Sequence, residues 1–150
     1  MIGAELLSPQ SLTVGWLVYL PVLIWAICRA PWVELFSDSR RQHLLFGTVF
    51  AVFLLWMVRR DFDTGVSYHF IGMTAVTLLL DWPLAIVGGL VAQMGLVLLG
   101  RQDLLAVGVN GTLLILLPVL ITECVAILVE RTQPRNPLVY IFGSGFFAAA

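Results

Sequence analysis

The sequence has no lysine and few charged residues of any kind. Charged side chains make up 11% of its 150 residues, whereas apolar side chains make up 60%. A soluble domain is about half apolar and about one quarter charged, so this balance excludes an ordinary soluble protein. Because all eight basic residues are arginines and the net charge is −1, the chain has no basic patch for nucleic acid.

Histidine and cysteine are also scarce, with two of each. Cys28 and Cys124 lack the paired spacing of zinc or redox sites, so we expect both to be small buried apolar residues. His43 and His69 belong to no nucleophile and base signature, and without lysine there is no phosphate-binding loop. The chain is therefore expected not to be an enzyme.

The beginning of the chain has no features of a cleaved signal peptide. No basic segment precedes the first apolar run, and no cleavage site of small residues follows it. Because Ile2 is bulky, removal of the initiator methionine is disfavoured. We expect Met1 to remain and to carry an unblocked amine.

Long apolar segments fill most of the sequence. A helix needs about 20 apolar residues to cross the hydrocarbon layer of a bilayer. Segments near this size lie at residues 12–28, 44–58, 66–80, 84–99 and 104–129, with a partial run at 138–150. We predict an all-α transmembrane bundle of five to six spans, forming one integral membrane domain. The final thirteen-residue run is too short to cross alone, as expected of a short or truncated chain.

Three residues between the third and fourth predicted spans favour a tight turn, namely Asp81, Trp82 and Pro83. We therefore expect these spans to form a helical hairpin. Small residues also repeat in the fourth span at a spacing of four, in the pairs Ala85 with Gly89 and Gly88 with Ala92. This pattern allows transmembrane helices to approach closely, although chance explains it equally well in so small-residue-rich a helix.

Two polar residues stand among apolar neighbours in the fifth predicted span. Asn110 and Glu123 each need a partner inside the bundle or a water-filled cavity. We expect Asn110 to bridge two helices rather than to fix a loop, while Glu123 fits either a proton relay or a position near the inner interface. Together with Gly111 and Pro118, these residues predict a broken or tilted helix.

The distribution of arginine predicts the orientation of the chain. Loops after the first, third and fifth spans hold five arginines, at positions 29, 40, 41, 131 and 135, and the opposite side holds Arg59, Arg60 and Arg101. Because cytoplasmic loops are enriched in positive charge, the N-terminus is expected outside. Met1 and the start of the third span then share the outer face.

His69 is the main candidate functional side chain from the residues alone. It lies just inside the third predicted span, where an ionisable group is a candidate for function. A bond to lipid headgroups or to a neighbouring carbonyl explains it equally well. His43 follows two arginines in a polar loop, so we expect a solvated side chain there.

Several short motifs follow one another in the third to fifth spans. They are the run from Ser67 to Gly72, the run from Leu79 to Pro83, Gln93, the run from Ala106 to Asn110, and Pro118. Their order resembles the CbiM/NikM family, whose pattern reads S-G-H-L-x-G, L-L-G-P-W, Q, L-G-A-N and a later proline. Near the start, Leu7-Ser8-Pro9 and Trp16 resemble the family's L-S-P and tryptophan. Members of this family are membrane substrate-binding components of energy-coupling-factor (ECF) transporters for cobalt and nickel.

The resemblance implies a metal site of nitrogen ligands near the outer face. In the family the ligands are the N-terminal amine, the backbone nitrogen and histidine side chain of residue 2, and the motif histidine. Here these become Met1, the backbone nitrogen of Ile2, and His69, in a square-planar set that suits Ni(II) or Co(II). The supporting residues are Ser67, Gly72, Gln93 and Asn110. Because Ile2 replaces a histidine, one imidazole is missing, and the site should be weaker and less selective.

The resemblance therefore implies a multi-pass permease component of an ECF-type ABC transporter in the cell inner (plasma) membrane. No cofactor is expected, and Ni(II) or Co(II) would be the transported substrate. ECF ATPase and coupling transmembrane subunits would be the partners, together with the lipid bilayer. The alternative is a degenerate family member that no longer transports and serves as a membrane interaction or regulatory subunit.

Overall fold

The computed structural model describes residues 1–58, 60–61, 67–68 and 72–132, and this part of the chain is mainly helical. Its helices are α1 (Pro9–Arg29), α2 (Trp32–Ser37), α3 (Ser39–Met57), α4 (Met73–Leu98), α5 (Val107–Gly111) and α6 (Leu117–Thr132). Short 3-10 turns occupy Ala4–Leu6 and Leu104–Ala106, and a π-helical turn, Thr112–Leu116, joins α5 to α6. The two-residue strands β1 (Arg60–Asp61) and β2 (Ser67–Tyr68) pair antiparallel. The predicted all-α class is confirmed.

Three helical segments in the described residues are long and apolar enough to cross a membrane. They are Pro9–Arg29, Met73–Leu98 and Leu104–Val129. Helix α1 alone, with 21 residues, extends about 31 Å, which matches the hydrocarbon thickness. The positions of all the predicted spans in a bilayer stay predictions, and residues 138–150 lie outside the described part.

Helix α4 consists of two arms separated by Asp81. The backbone of Asp81 has φ 67° and ψ 158°, which is not helical, and Pro83 follows as an early residue of the next arm. We call residues 73–80 the first arm and residues 82–98 the second arm. The break therefore falls at the turn that the sequence predicts.

The two arms run in opposite directions along α3. Gly72 lies against Leu55, near the end of α3, and the groove that follows is lined up to Leu79 and His43, near its beginning. The second arm follows α3 in the other sense. Gly88 faces Leu45 and Val49, and Gly95 faces Phe53. The predicted helical hairpin is therefore present in the fold.

The first arm begins later than the sequence predicts. Residues 67–68 belong to β2, and the helix begins at Met73 instead of residue 66. Gly72, directly before it, has φ 68°, a left-handed conformation that glycine adopts without a steric cost. This turn redirects the chain from the strand pair into the helix, so apolar composition alone placed the start too early.

Two glycines of the second arm pack closely against other helices. A Cβ atom on Gly88 would lie 3.0 Å from Val49, and one on Gly89 would lie 3.0 Å from Ile115. At this distance a larger side chain would require the Val49 or Ile115 side chain to shift. The small-residue pattern in this helix therefore marks real helix contacts rather than chance.

The groove between α3 and the first arm is open in the described structure. Its cavity volume is about 450 Å³, and apolar and small side chains such as Gly47, Ala51 and Ala75 line it. A Cβ atom added to Gly47 would meet no atom within 4 Å. We refer to this feature as the α3 groove.

The segment from residue 104 to residue 132 is irregular, as the sequence predicts. The N–H of Leu117 donates to the carbonyl of Thr112, five residues earlier, and Pro118 follows. Proline has no N–H and its ring clashes with the carbonyl four residues before it, so a wider π-helical turn accommodates it.

The two cysteines correct one expectation. Cys28 in α1 and Cys124 in α6 are both exposed rather than buried. Their neighbours are apolar because these helix surfaces are apolar, and in a membrane protein such surfaces also face lipid. Apolar surroundings in the sequence therefore do not distinguish the core from the lipid side.

Candidate functional site

The first residues of the chain fold back onto the bundle. Met1 is only 8% exposed, and a 3-10 turn at Ala4–Leu6 leads to the start of α1. The Ser8 side chain accepts a hydrogen bond from the N–H of Ser11 and caps α1, with Pro9 as its first residue. Serine at the cap and proline in the first turn are favoured at helix starts. The N-terminal segment therefore ends at Ser8, where α1 begins.

Asn110 holds the backbone of Ile2 from both sides. The N–H of Ile2 donates to Oδ1 of Asn110 at 2.9 Å, and Nδ2 of Asn110 donates to the carbonyl of Ile2 at 3.0 Å. Asn110 is completely buried. We call this reciprocal pair of hydrogen bonds the Ile2–Asn110 clamp. It corrects the expectation that Asn110 bridges two helices, because the side chain instead fixes the N-terminal segment.

The helix that carries Asn110 crosses α1 at very short range. A Cβ atom on Gly15 would lie 2.7 Å from the backbone nitrogen of Val109, and one on Gly108 would lie 2.7 Å from that of Trp16. Only glycine permits the two backbones to approach this closely. We call this contact the α1–α5 crossing, and it places Asn110 beside the start of the chain.

Two side chains, those of Trp16 and Thr112, donate hydrogen bonds to carbonyls in and around α5. The indole N–H of Trp16 donates to the carbonyl of Leu105 at 3.1 Å. The hydroxyl of Thr112 lies 2.8 Å from the carbonyl of Gly108 and 3.4 Å from that of Gly15. These contacts supplement a helix of only five residues, which is too short to be stable alone.

Gln93 reaches α5 from the second arm of α4. Its Nε2 donates to the carbonyl of Val107 at 3.2 Å, and the residue is 1% exposed. Its Oε1 is buried and accepts no hydrogen bond from the described residues. Half of this amide therefore anchors α5, while the other half keeps unused hydrogen-bonding capacity.

A second tether of the N-terminal segment lies nearer the surface. The N–H of Ala4 is 3.5 Å from Oδ2 of Asp103, a long and exposed contact. Asp103 lies shortly after Gly100, whose backbone adopts a left-handed conformation (φ 67°) in the turn that follows α4. Exposure to solvent makes this tether weaker than the clamp at Ile2.

The predicted site residues fall into three groups. Met1, Ile2 and Asn110 come together, and Gln93 connects to them through α5. Ser67 belongs to β2, opposite Asp61 in the register. Gly72 lies directly before the first residue of α4. His69 lies outside the described residues, and its role stays a prediction.

Two other candidate residues, His43 and Glu123, lie in α3 and α6. His43 is exposed, and its Nδ1 lies 2.6 Å from the carbonyl of Ser39 in the first turn of α3. Glu123 is half-buried in α6. Within the described ranges, no group of three or more His, Cys, Asp or Glu residues could hold a metal ion.

Sequence reasoning missed the α1–α5 crossing. Gly15 was not identified, and Gly108 was noted only as part of a motif. The signal available in the sequence was a glycine at similar depth in two apolar segments, which is common in transmembrane helices. A contact between residues 94 positions apart, such as Gly15 and Val109, has no signature in local periodicity.

Comparisons with known proteins find one matching family and two solved structures with a similar fold. The model of a family described as "CbiM: Cobalt uptake substrate-specific transmembrane region" matches residues 2–150. Two solved structures, one of a truncated transition metal transporter and one of a transition metal transporter, share the fold with TM-scores of 0.76 and 0.74. Both are 22% identical to the chain, cover 99% of it, and have 69% and 65% of their own length covered. No curated protein matches the chain.

Proposed function

This chain belongs to the CbiM family of cobalt uptake substrate-specific transmembrane regions, and on this premise we propose how it binds its metal. The chain is a membrane component of transition metal transport. We propose that it is the substrate-binding component of an ECF-type transporter, and that the substrate is Co(II) or Ni(II). The metal binds at the outer face, to the amine of Met1, the backbone nitrogen of Ile2 and the imidazole of His69.

The Ile2–Asn110 clamp is the observation that carries this proposal. A terminal segment that only covers the bundle has no need of a buried asparagine that bonds both the N–H and the carbonyl of one residue. The clamp fixes the backbone nitrogen of Ile2, and Met1 beside it is buried. An amine and the next amide nitrogen close a five-membered ring around a metal, so this pair supplies two adjacent ligand positions.

Metal binding at Ile2 changes one half of the clamp, the bond from the Ile2 N–H, whereas the bond from Nδ2 of Asn110 to the Ile2 carbonyl stays and keeps the segment in position. The Ile2 nitrogen now carries a proton that it donates to Oδ1 of Asn110. A metal-bound amide nitrogen has lost this proton, so loading would release it to solvent, together with the proton of a protonated Met1 amine, and would exchange this hydrogen bond for a metal bond. Metal affinity should therefore rise with pH, because the metal competes with protons for the same ligand nitrogens.

The replacement of histidine by Ile2 leaves three protein nitrogens for the metal. Square-planar Ni(II) and Co(II) sites use four, so the fourth position is left for water or another small ligand. We propose that the metal is held more weakly and less selectively than in members with a histidine at this position. Restoring that imidazole tests the idea directly.

Transport itself depends on other subunits. The sequence contains no lysine and therefore no phosphate-binding loop for ATP. We propose that ECF ATPase and coupling transmembrane subunits supply the energy, and that the chain lies in the inner (plasma) membrane with its N-terminus outside.

The first test compares the two histidines of the chain. Isothermal titration calorimetry in detergent should show binding of Ni(II) or Co(II) by the unmodified protein. His69→Ala should abolish it, whereas His43→Ala should leave it unchanged, because His43 is exposed and bonds its own helix. An unmodified protein that binds none of Ni(II), Co(II), Cu(II) and Zn(II) would rule out the metal site.

The second test is a gain of function. Ile2→His should bind Ni(II) at least about tenfold more tightly, since one added metal bond needs to contribute only about 1.4 kcal/mol. Ile2→Leu, which keeps an aliphatic side chain, is the matched control and should leave the affinity unchanged. Equal affinities for Ile2→His and Ile2→Leu would show that residue 2 does not face the metal.

The same substitution favours one alternative function. The missing imidazole at Ile2 is consistent with a family member that has stopped transporting and binds partner proteins in the membrane. Purification with stoichiometric ATPase and coupling subunits supports transport, and purification with an unrelated membrane complex supports the alternative.

A further inference from the structure

Gln93 is connected to the start of the chain through a short series of contacts. Its Nε2 donates to the carbonyl of Val107, the first residue of α5. Asn110 lies three residues further along the same helix, and its side chain bonds both the N–H and the carbonyl of Ile2. Every residue in this series except Ile2 is at most 1% exposed.

The helix between Gln93 and the clamp transmits position well. Helix α5 has five residues, is preceded by a 3-10 turn and is followed by a π-helical turn. At the α1–α5 crossing its backbone lies directly against that of α1 at Gly15 and Gly108. A rotation or shift of α5 therefore moves Asn110 directly, because close-packed backbones cannot absorb the change through side chains.

The hydrogen bonding of Gln93 draws attention to its donor group. Its Oε1 is buried and receives no hydrogen bond from the described residues, so within them only the N–H side of the amide is used. An apolar side chain of the same size would fill the same volume. Among the described contacts, what glutamine has and methionine lacks is the N–H donor to Val107.

We propose that Gln93 is a positioning residue for the N-terminal metal site: its bond to Val107 holds α5 in the position at which Asn110 clamps the backbone of Ile2. Gln93 does not itself touch the metal. The part of this inference that concerns metal affinity rests on the proposed function, whereas the part that concerns the clamp does not.

The decisive variant is Gln93→Met. Methionine keeps the volume and removes the donor together with an acceptor that no described residue uses, so the melting temperature should change little. The Ile2–Asn110 clamp should nevertheless open more often. Hydrogen exchange of the Ile2 amide, followed by NMR with ¹⁵N-isoleucine in detergent and without metal, should become about fivefold faster, as expected for a typical lost hydrogen bond.

Two further variants frame this measurement. Asn110→Ala removes the clamp itself and sets the upper limit of the exchange rate. Thr122→Val changes an equally buried polar residue, whose hydroxyl bonds Thr74 and Pro118 in the first arm and α6. It should leave exchange at Ile2 unchanged.

Three outcomes decide the inference. Faster exchange in Gln93→Met but not in Thr122→Val supports it. Unchanged exchange in Gln93→Met overturns it, and so does equal acceleration in both variants, which would indicate general loosening. Calorimetry with Ni(II) is a separate readout: a protein that binds no metal contradicts the proposed function but leaves the exchange result intact. Where metal binds, Gln93→Met should weaken it by a similar factor.

Discussion

The α1–α5 crossing and the α3 groove are both lined by glycine, yet one is closed and the other is open. At the crossing, a Cβ atom on Gly15 or Gly108 would meet backbone atoms at 2.7 Å. In the groove, a Cβ atom on Gly47 would meet nothing within 4 Å. The closed contact supports the buried Asn110 and the start of the chain. Glycine thus marks close packing only where another segment lies against it, and at the candidate site that segment approaches with its backbone.

The largest expected effect comes from adding a side chain to a glycine of the α1–α5 crossing. Gly108→Val should destabilise the protein by more than about 3 kcal/mol, because the new side chain would overlap the backbone of Trp16. Thermal unfolding in detergent measures this. The same change at Gly47 is the matched control and should cost less than about 0.5 kcal/mol, since that helix surface is open and valine forms helices better than glycine. Similar losses at both positions would contradict the comparison.

The next effect concerns what the crossing supports. Asn110→Ala removes both hydrogen bonds to Ile2 and leaves its N–H and carbonyl without these partners, at a cost of about 2–3 kcal/mol. Chemical denaturation and Ni(II) calorimetry should both show the loss.

Thr122→Val serves as the control for Asn110→Ala and should cost about 1 kcal/mol without changing Ni(II) affinity. Metal affinity that survives in Asn110→Ala would separate the clamp from the site.

A smaller effect is expected at the turn between the arms of α4, on the side of the α3 groove. Asp81 adopts φ 67°, a conformation that glycine adopts readily and other residues rarely. Asp81→Gly should stabilise the protein by about 1 kcal/mol, whereas Asp81→Ala should not, because alanine keeps the strain. Thermal unfolding of the two variants side by side tests this. A gain from alanine equal to that from glycine would assign the effect to the lost charge.

The smallest effect is expected in the groove itself. Gly47→Ala fills open space on a helix and should stabilise the protein by about 0.5–1 kcal/mol through the loss of backbone freedom in the unfolded chain. A loss of stability instead would show that another element occupies the groove in the membrane.

Local sequence features predicted the parts of the fold that depend on local chemistry. The break at Asp81 and the irregular helix before Pro118 were identified because charge and proline act on their own backbone. The spacing of small residues around Gly88 and Gly89 left close packing and chance equally open, and the structure shows close packing. The start of the first arm was placed too early, since the left-handed turn at Gly72 has no signal in hydropathy.

The candidate site was predicted only in its members. Resemblance to the family brought together Ile2, Gln93 and Asn110, but their contacts had to be seen in the structure. Asn110 was expected to bridge helices, because a buried amide in a transmembrane segment usually finds a partner on a neighbouring helix. Its partner is instead the backbone of Ile2, 108 positions away.

The sequence by itself determined that this protein is a helical membrane protein, since 60% apolar residues with 11% charge cannot be stabilised in water as an ordinary domain. It also determined where the helices are interrupted, because charge, glycine and proline act on the residues next to them. Only the tertiary structure decided which glycines meet a second backbone, which surface holds the cysteines, and that Asn110 binds the start of the chain. These depend on distances between segments far apart in sequence, and local periodicity carries no information about them.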